Sequence, residues 1–314
     1  MNSEVAQPGL FDETSRHARL LEYRLLPSVS AERIKAVLKD LVQYGHNTAG
    51  LNVNLAFGSA CWDRLNPSWR PAELVPFNTL TCEELSMPGT QGDVFIWLNS
   101  PDAELIPHVL IEIYQKMKTI ADIQLDLEGI KNKESRDLIG FVDGSANDEG
   151  NERFPVVFIP QGKLGAGGSY VLTQRWQHNL EAFNHLSVHE QEKVVGRTKA
   201  GDVELEGDDM PENSHVSRTD AEVDGVGMAI YRRSYPYMAS QLKTAAAEQE
   251  DKPDHGLYFL AFACEMQRFT VQLERMLGLT DDGISDRLMQ FSTAKTGCYW
   301  FMPSQQDLEA LLQH

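Results

Sequence analysis

The sequence predicts an α+β protein in which one pattern of elements occurs twice. Some short runs alternate apolar and polar residues as strands do, while longer runs repeat apolar residues at helical spacing. The second half repeats the order of these runs in the first half, which favours duplication of one structural unit. With 314 residues, of which 42% are hydrophobic, the chain can bury one large core or two medium ones.

The first half predicts four strands and two helices. Ser30 is a typical N-cap, and apolar residues follow it at helical spacing, so a helix begins there. A second helix is predicted at 102–118. The alternation in 51–57 is typical of a half-buried strand, and the strands as a set are predicted at 17–26, 51–57, 93–98 and 123–127. This order is β-α-β-β-α-β, the ferredoxin-like unit.

The second half begins after a polar, glycine-rich connection at 145–168. Helical pieces are predicted within 180–195, an amphipathic helix at 267–277, and strands at 169–176, 228–233, 257–263 and 299–301. The acidic segment 202–213 is predicted to be a loop. We therefore predict two domains, 1–145 and 146–314.

Composition and charge exclude several classes of function. A net charge of −18 disfavours partners with anionic surfaces, so neither nucleic acid nor a membrane surface is expected. No apolar run is long enough to cross a bilayer, and the first residues lack a basic start followed by an apolar block. The four cysteines form no Cys-x-x-Cys pair. Reduced thiols and a cytoplasmic location are the expectation.

Three short segments carry the residues expected to do chemistry. Residues 140–147 read Gly-Phe-Val-Asp-Gly-Ser-Ala-Asn, and they are followed by segments around His215 and Arg232. An imidazole can bind haem iron from one side. A carboxylate such as that of Asp143 and a guanidinium can act on peroxide at the other side.

These motifs resemble those of the dye-decolorising peroxidases, in particular the bacterial B-type enzymes. Gly140 to Gly144 match the family motif Gly-x-x-Asp-Gly, and the order and spacing of the histidine and arginine segments agree with it. The resemblance extends over about 17–303. It implies two tandem ferredoxin-like halves with antiparallel sheets that enclose a haem pocket. Haem b would be bound non-covalently, because no Cys-x-x-Cys-His segment is present.

The resemblance also implies roles for the residues on the iron-binding side. His215 would be the axial metal ligand. A carboxylate on its second ring nitrogen would make the imidazole more basic, and Asp286 is the candidate, although a solvated or helix-capping aspartate is an equal alternative. Other histidines are expected at the surface, namely His46, His178, His185, His189, His255 and His314.

On the peroxide side, Asp143 would be the acid–base catalyst, although Asp-Gly is also a strong turn signal. An aspartate stays ionised in mildly acidic solution, so an acidic optimum is expected. Arg232 would stabilise O–O cleavage, and strand alternation places Ser234 on its side. Arg197 would pair with a haem propionate, although cations at an ordinary helix end are the alternative.

The expected function is that of a haem b peroxidase. Hydrogen peroxide would be reduced, and small phenolic, dye or porphyrinogen-type donors would be oxidised in one-electron steps. The alternative is a haem-handling protein that stores or delivers haem or removes its iron, and a non-haem metal enzyme is a third hypothesis. A homo-oligomer is expected, with a dimer favoured. Loading into a protein nanocompartment is not expected, since no long tail is visible.

Overall fold

The computed structural model of the protein describes residues 2–239 and 254–313. The strands in this part of the chain are β1 (His17–Leu25), β2 (Asn52–Phe57), β3 (Leu80–Cys82), β4 (Leu85–Met87), β5 (Val94–Ser100), β6 (Ala121–Ile130), β7 (Ser169–His178), β8 (Glu222–Val223), β9 (Val226–Gly227), β10 (Tyr231–Arg232), β11 (Tyr235–Ala239), β12 (Asp254–Ala263), β13 (Ser292–Ala294) and β14 (Cys298–Met302). The helices are α1 (Ala31–His46), α2 (Ser59–Leu65), α3 (Leu105–Met117), α4 (Arg153–Val157), α5 (Leu180–Asn184), α6 (Val188–Val195), α7 (His215–Thr219), α8 (Gln267–Leu277) and α9 (Gln305–Gln313).

Each half of the molecule has the same strand order. The first half reads β6-β1-β5-β2 across the sheet and the second reads β14-β7-β12-β10, with antiparallel pairing throughout. β14 also pairs with β2, where Phe301 lies opposite Phe57, so that the two halves share one ten-stranded sheet. The predicted α+β fold with ferredoxin-like order is confirmed. The domain limits at 145 and 146 stay a prediction.

Local sequence signals account for the helix limits. Ser30 Oγ accepts a hydrogen bond from Arg33 N at 3.3 Å, which satisfies a free N–H group at the start of α1. Helix α8 begins and ends at the predicted residues. It stops at Gly278, whose φ of +73° is a left-handed conformation that favours glycine.

Three expectations for the elements were wrong in detail, and one helix was missed. β2 is buried on both faces rather than half-buried, since helices and the second core cover the sheet on its two sides. The connection 145–168 contains α4. The strand predicted at 228–233 is confined to β10, and β11 follows it. Helix α9 near the C-terminus was not predicted.

Two hydrophobic cores lie on opposite faces of the sheet. One packs the helices α1, α3 and α8 against the sheet, and the other is rich in aromatic side chains, among them Phe95, Trp97, Tyr258 and Trp300. A third, smaller cluster packs residues near the Gly140–Gly144 motif against α5 and α6. Within 2–239 and 254–313, no helix is long and apolar enough to span a membrane.

Candidate active site

A cavity of about 360 Å³ lies between one face of the second half-sheet and helices α7 and α8. This volume is within the range of small-molecule and cofactor sites, about 300–1,000 Å³. The apolar part of the wall includes Leu172, Trp176, Leu257, Phe259, Leu273 and Met276. The polar part includes Asp143, Arg197, His215 and Arg232. Tertiary folding therefore brings the predicted acid, imidazole and guanidinium groups to one cavity.

His215 is the first residue of the five-residue helix α7. Ser214 caps this helix, because its Oγ accepts a hydrogen bond from Ser217 N at 3.2 Å. At the other end, Arg275 of α8 donates to the carbonyl oxygens of Ser217 and Arg218 at 2.6 and 3.0 Å. So short a helix is not stable alone. Its contacts with α8 hold His215 in place.

The imidazole of His215 contacts the carboxylate of Asp286. His215 Nδ1 lies 2.6 Å from Asp286 Oδ2, and the Asp286 side chain is completely buried. Asp286 Oδ1 accepts a hydrogen bond from Leu288 N at 2.8 Å, which fixes the carboxylate at the start of a short 3-10 helix. Because Nδ1 is engaged, Nε2 is the ring nitrogen left to bind a ligand. We call His215 and Asp286 the imidazole end of the cavity.

Asp143 lies on a small hairpin that spans 135–143. Asp143 N donates to Ser135 O at 2.9 Å, and a bridge pairs Arg136 with Val142. Gly140 has a φ of +93°, a left-handed conformation that favours glycine at this turn. The turn of this hairpin lies at Asp137–Gly140, whereas Asp143 lies at its base and lines the cavity. A separate turn follows, in which Asn147 N donates to Gly144 O at 3.1 Å.

Arg232 lies beside Asp143, and its backbone is held by Asn147. Arg232 Nε is 3.6 Å from Asp143 Oδ1, beyond hydrogen-bond distance, and each side chain is about one-fifth exposed (22% and 19%). Asn147 accepts a hydrogen bond from Arg232 N at 2.8 Å and donates one to Arg232 O at 2.9 Å. Arg232 Nε is buried, and no hydrogen-bond partner is found for it in the described ranges. We call Asp143 and Arg232 the acid–guanidinium end.

A second, polar cavity of about 270 Å³ adjoins this end. Asp143, Ser145 and Arg232 line both cavities, whereas His215 lines only the first. Lys131 also lines the second cavity, with its Nζ 5.1 Å from the ring centroid of Tyr235. Burial and the nearby Arg233 lower the pKa of Lys131 to about 8. The second cavity therefore opens onto the acid–guanidinium end.

Comparisons with known proteins give the family of this chain. The models for the C-terminal and N-terminal parts of the Dyp-type peroxidases match residues 134–307 and 24–131. A dye-decolorizing peroxidase from Rhodococcus erythropolis is 33% identical over 262 residues, which are 83% of this chain and 74% of the relative. A dye-decolorizing peroxidase from Mycobacterium tuberculosis is 33% identical, and the match covers 82% of this chain and 74% of that protein. The chain belongs to the Dyp-type peroxidase family.

Solved structures of the family have the same fold as this Dyp-type peroxidase. A dye-decolorizing protein from Vibrio cholerae superposes with a TM-score of 0.83 at 33% identity, covering 96% of this chain and 98% of the other. A DypB variant from Rhodococcus jostii, described as a complex with haem, superposes with a TM-score of 0.83 at 29% identity. The match covers 95% of this chain and 96% of the other. The predicted family and the assignment as a peroxidase enzyme are confirmed.

In this Dyp-type peroxidase, Arg197 lines the main cavity but is already paired. Its Nε lies 2.8 Å from Asp202 Oδ1, a second nitrogen lies 3.1 Å from Glu204 Oε2, and a third donates to Asp202 O at 2.7 Å. Two carboxylates therefore compete for the guanidinium that was expected to pair with a propionate. That role stays a prediction.

Ser234 is buried, and it is not among the described residues that line the two cavities. Its Oγ lies 3.5 Å from Leu260 N, at the outer limit of a hydrogen bond. Arg233 points to the opposite face from Arg232, where its guanidinium lies 5.6 Å from the ring centroid of Trp97. The alternation of the two arginines thus agrees with the strand pattern, whereas a catalytic role for Ser234 stays a prediction.

Sequence reasoning missed several polar residues of the site. His178 was expected at the surface, but it is buried in the cavity wall beside Asp137 and Ser292, so that expectation was wrong. Gln174 is also buried in this wall. Their spacing could have shown this. His178 and Gln174 lie two residues apart from Trp176 along β7, and Leu172 has the same spacing, so all four side chains lie on one face of the strand. His314 lies outside the described residues.

Proposed function

We propose that this Dyp-type peroxidase binds haem b non-covalently through His215 and reduces hydrogen peroxide with Asp143 and Arg232. One observation carries the proposal. A single cavity combines an imidazole held by a buried carboxylate with an acid–guanidinium pair whose buried Nε has no partner in the described part of the chain.

The residues of the main cavity fit haem. Apolar side chains from β7, β12 and α8 suit a flat macrocycle, and His215 Nε2 is left free by the contact of Nδ1 with Asp286. When bound, haem supplies the redox-active iron at which peroxide is reduced and donors are oxidised. A DypB variant of Rhodococcus jostii, a structural relative, is described as a haem complex.

On the imidazole end, Asp286 Oδ2 would accept a hydrogen bond from the Nδ1–H group of His215. This hydrogen bond orients the ring and raises the electron density on Nε2, which strengthens its bond to a metal ion. Burial of Asp286 removes water that would otherwise weaken this interaction. The charge of the carboxylate therefore acts on the ligand throughout turnover.

On the acid–guanidinium end, hydrogen peroxide would reach Asp143 and Arg232 through the second cavity. An oxygen of the Asp143 carboxylate accepts a proton from the bound peroxide oxygen and returns it to the departing oxygen, which leaves as water. The Arg232 guanidinium is always charged and donates hydrogen bonds to that departing oxygen. Two one-electron donors would then supply two electrons, and with two protons the second peroxide oxygen would also leave as water, which restores the resting enzyme.

The donors proposed are small phenolic, dye or porphyrinogen-type molecules. Support comes from the dye-decolorizing peroxidases that the chain resembles and from the net charge of −18, which favours neutral or cationic donors. A cytoplasmic location and a homo-oligomer, with a dimer favoured, stay predictions, as does the absence of encapsulation.

Two variants test this function, Asp143→Asn and Arg232→Leu. Haem-loaded protein is mixed with hydrogen peroxide, and the rate constant of this reaction is measured from the change in absorption. We expect losses of about 10²–10⁴-fold for Asp143→Asn and about 10²–10³-fold for Arg232→Leu, with unchanged haem content. The control Asp63→Asn removes an exposed acid outside both cavities and should keep the wild-type rate.

The same experiment separates the peroxidase from the haem-handling alternative. A haem-handling protein needs His215 but neither Asp143 nor Arg232. Wild-type rates in both variants would therefore overturn the proposed peroxide chemistry and favour that alternative.

A further inference from the structure

A buried Ser-His-Asp contact chain lies in the wall of the main cavity. His178 Nδ1 lies 2.7 Å from Ser292 Oγ, and His178 Nε2 lies 2.9 Å from Asp137 Oδ2. All three residues line the cavity and are less than 9% exposed. Asp137 Oδ1 and His178 Nε2 are both buried without a hydrogen bond in the described ranges, so the 2.9 Å approach of His178 Nε2 to Asp137 Oδ2 is a close polar contact and not a hydrogen bond.

Asp137 belongs to the hairpin that carries Asp143. Asp137 N donates to Phe141 O at 2.9 Å, and Gly140 N donates to Asp137 O at 2.9 Å. At the base of the hairpin, Asp143 N is bonded to Ser135 O. The contact of Asp137 with His178 therefore fixes the tip of the hairpin to β7.

Ser292 belongs to the segment that carries Asp286. It lies opposite His178 in the pairing of β13 with β7, directly after the 3-10 helix that Asp286 caps. Asn179, the residue after β7, donates its N–H to Phe291 O at 2.7 Å. The end of β7 thus contacts the hairpin through Asp137 and is hydrogen-bonded to the segment that holds the imidazole end.

A buried carboxylate needs a polar partner, and such a contact is weak evidence for stability alone. A hydrolytic role does not fit, because the familiar triad places the acid on Nδ1 and the serine on Nε2, the reverse of this arrangement. The pair instead lies where it can determine the position of the catalytic hairpin.

We infer that His178 is a positioning residue that acts through Asp137 to hold Asp143 at its place beside Arg232. This inference rests on the proposed function, since it assigns to Asp143 the proton transfer that requires the positioning. A displacement of a catalytic group by about 1 Å can cost about 10²-fold in rate.

A double-mutant cycle tests the inference on the haem-loaded protein. Asp137→Asn removes the charge and keeps the volume, and His178→Gln removes the imidazole. We expect each to lower the rate constant with hydrogen peroxide about tenfold in the wild-type background, and neither to lower it further in Asp143→Asn. Equal losses in both backgrounds, or no loss in wild type, would overturn the inference.

Hydrogen exchange of the cofactor-free protein gives a second readout that does not depend on turnover. The amides of Asp137, Gly140 and Asp143 should exchange at least about tenfold faster in Asp137→Asn and His178→Gln, because the tip of the hairpin is released. Amides of α8 should exchange as in wild type. Unchanged exchange in the hairpin would contradict the inference.

A control removes a carboxylate from a partly exposed charged pair in the same sheet. Asp254 lies 2.7 Å from Arg175, and neither residue lines the two cavities. Asp254→Asn should change neither the peroxide rate nor the exchange of the hairpin. If Asp143→Asn itself kept the wild-type rate, the proposed function would fail. Faster hairpin exchange would then still show that His178 holds the hairpin.

Discussion

The two ends of the cavity differ in how tightly their charged groups are held. At the imidazole end, the two partners are 2.6 Å apart and Asp286 is completely buried. At the acid–guanidinium end, Asp143 and Arg232 are 3.6 Å apart and each is about one-fifth exposed. A buried, closely bonded pair keeps one geometry, whereas a looser pair retains donors and acceptors for an incoming molecule. Under the proposed function, the first end would hold the haem ligand and the second would receive peroxide.

The largest effect is expected from His215→Ala at the tightly held end. Loss of the imidazole would remove the proposed axial ligand, so haem affinity should fall by more than about 100-fold, as measured by titration of the Soret band. Free imidazole added to the variant should restore part of the spectrum. His185→Ala, which alters an exposed histidine, is the control. Unchanged haem binding by His215→Ala would mean that the iron is anchored elsewhere.

The next effect distinguishes the carboxylate of Asp286 from that of Asp143 by the reduction potential of the iron. Asp286→Asn removes the negative charge beside the imidazole, so ferric iron is less stabilised and the reduction potential should rise, with about 10–100-fold lower activity. Asp143→Asn should leave the potential unchanged, because this residue lies at the other end. Spectroelectrochemical titration of both variants measures the difference. Equal shifts would remove the distinction between the ends.

A smaller effect is expected from Asn147→Ala, which loosens the acid–guanidinium end further. The substitution leaves the N–H and C=O groups of Arg232 without their side-chain partner, so the free energy of unfolding should fall by about 1–3 kcal/mol. Urea denaturation measures this change. Exposed Asn47→Ala should change it by less than about 0.5 kcal/mol, and a similar loss in both variants would contradict the assigned role.

The smallest effect concerns Lys131, whose pKa of about 8 lies below its unfolded value of 10.5. Between these two pH values the unfolded chain binds more protons, so the lysine makes the wild type more stable as pH rises through this window. Lys131→Met lacks this gain. Its stability relative to wild type should therefore be higher at pH 7 than at pH 10, by an amount on the order of 1 kcal/mol. Denaturation at both pH values measures this, and a constant difference would show that Lys131 does not titrate in this range.

Much of the fold could be predicted from local patterns. The helix at 267–277 and the cap at Ser30 were correct because amphipathic spacing and capping are encoded within a few neighbouring residues. The strand predicted at 228–233 was too long, since β10 and β11 each pair with part of β12 and the chain between them does not follow a regular strand. Strand limits depend on partners that local patterns do not identify.

For the site, the sequence by itself determined which residue types were available and in what order, because the motif around Asp143 and the segments of His215 and Arg232 are local. Only the tertiary structure decided that Asp286 contacts His215, and that His178 lies buried beside Asp137 rather than at the surface. Both contacts join residues far apart in the chain, and a side chain's burial follows from what packs on it. No local periodicity identifies such a partner. The family resemblance supplied Asp286 as a candidate partner of His215, with a solvated or helix-capping aspartate as an equal alternative, and nothing in the sequence predicted the contact of His178 with Asp137.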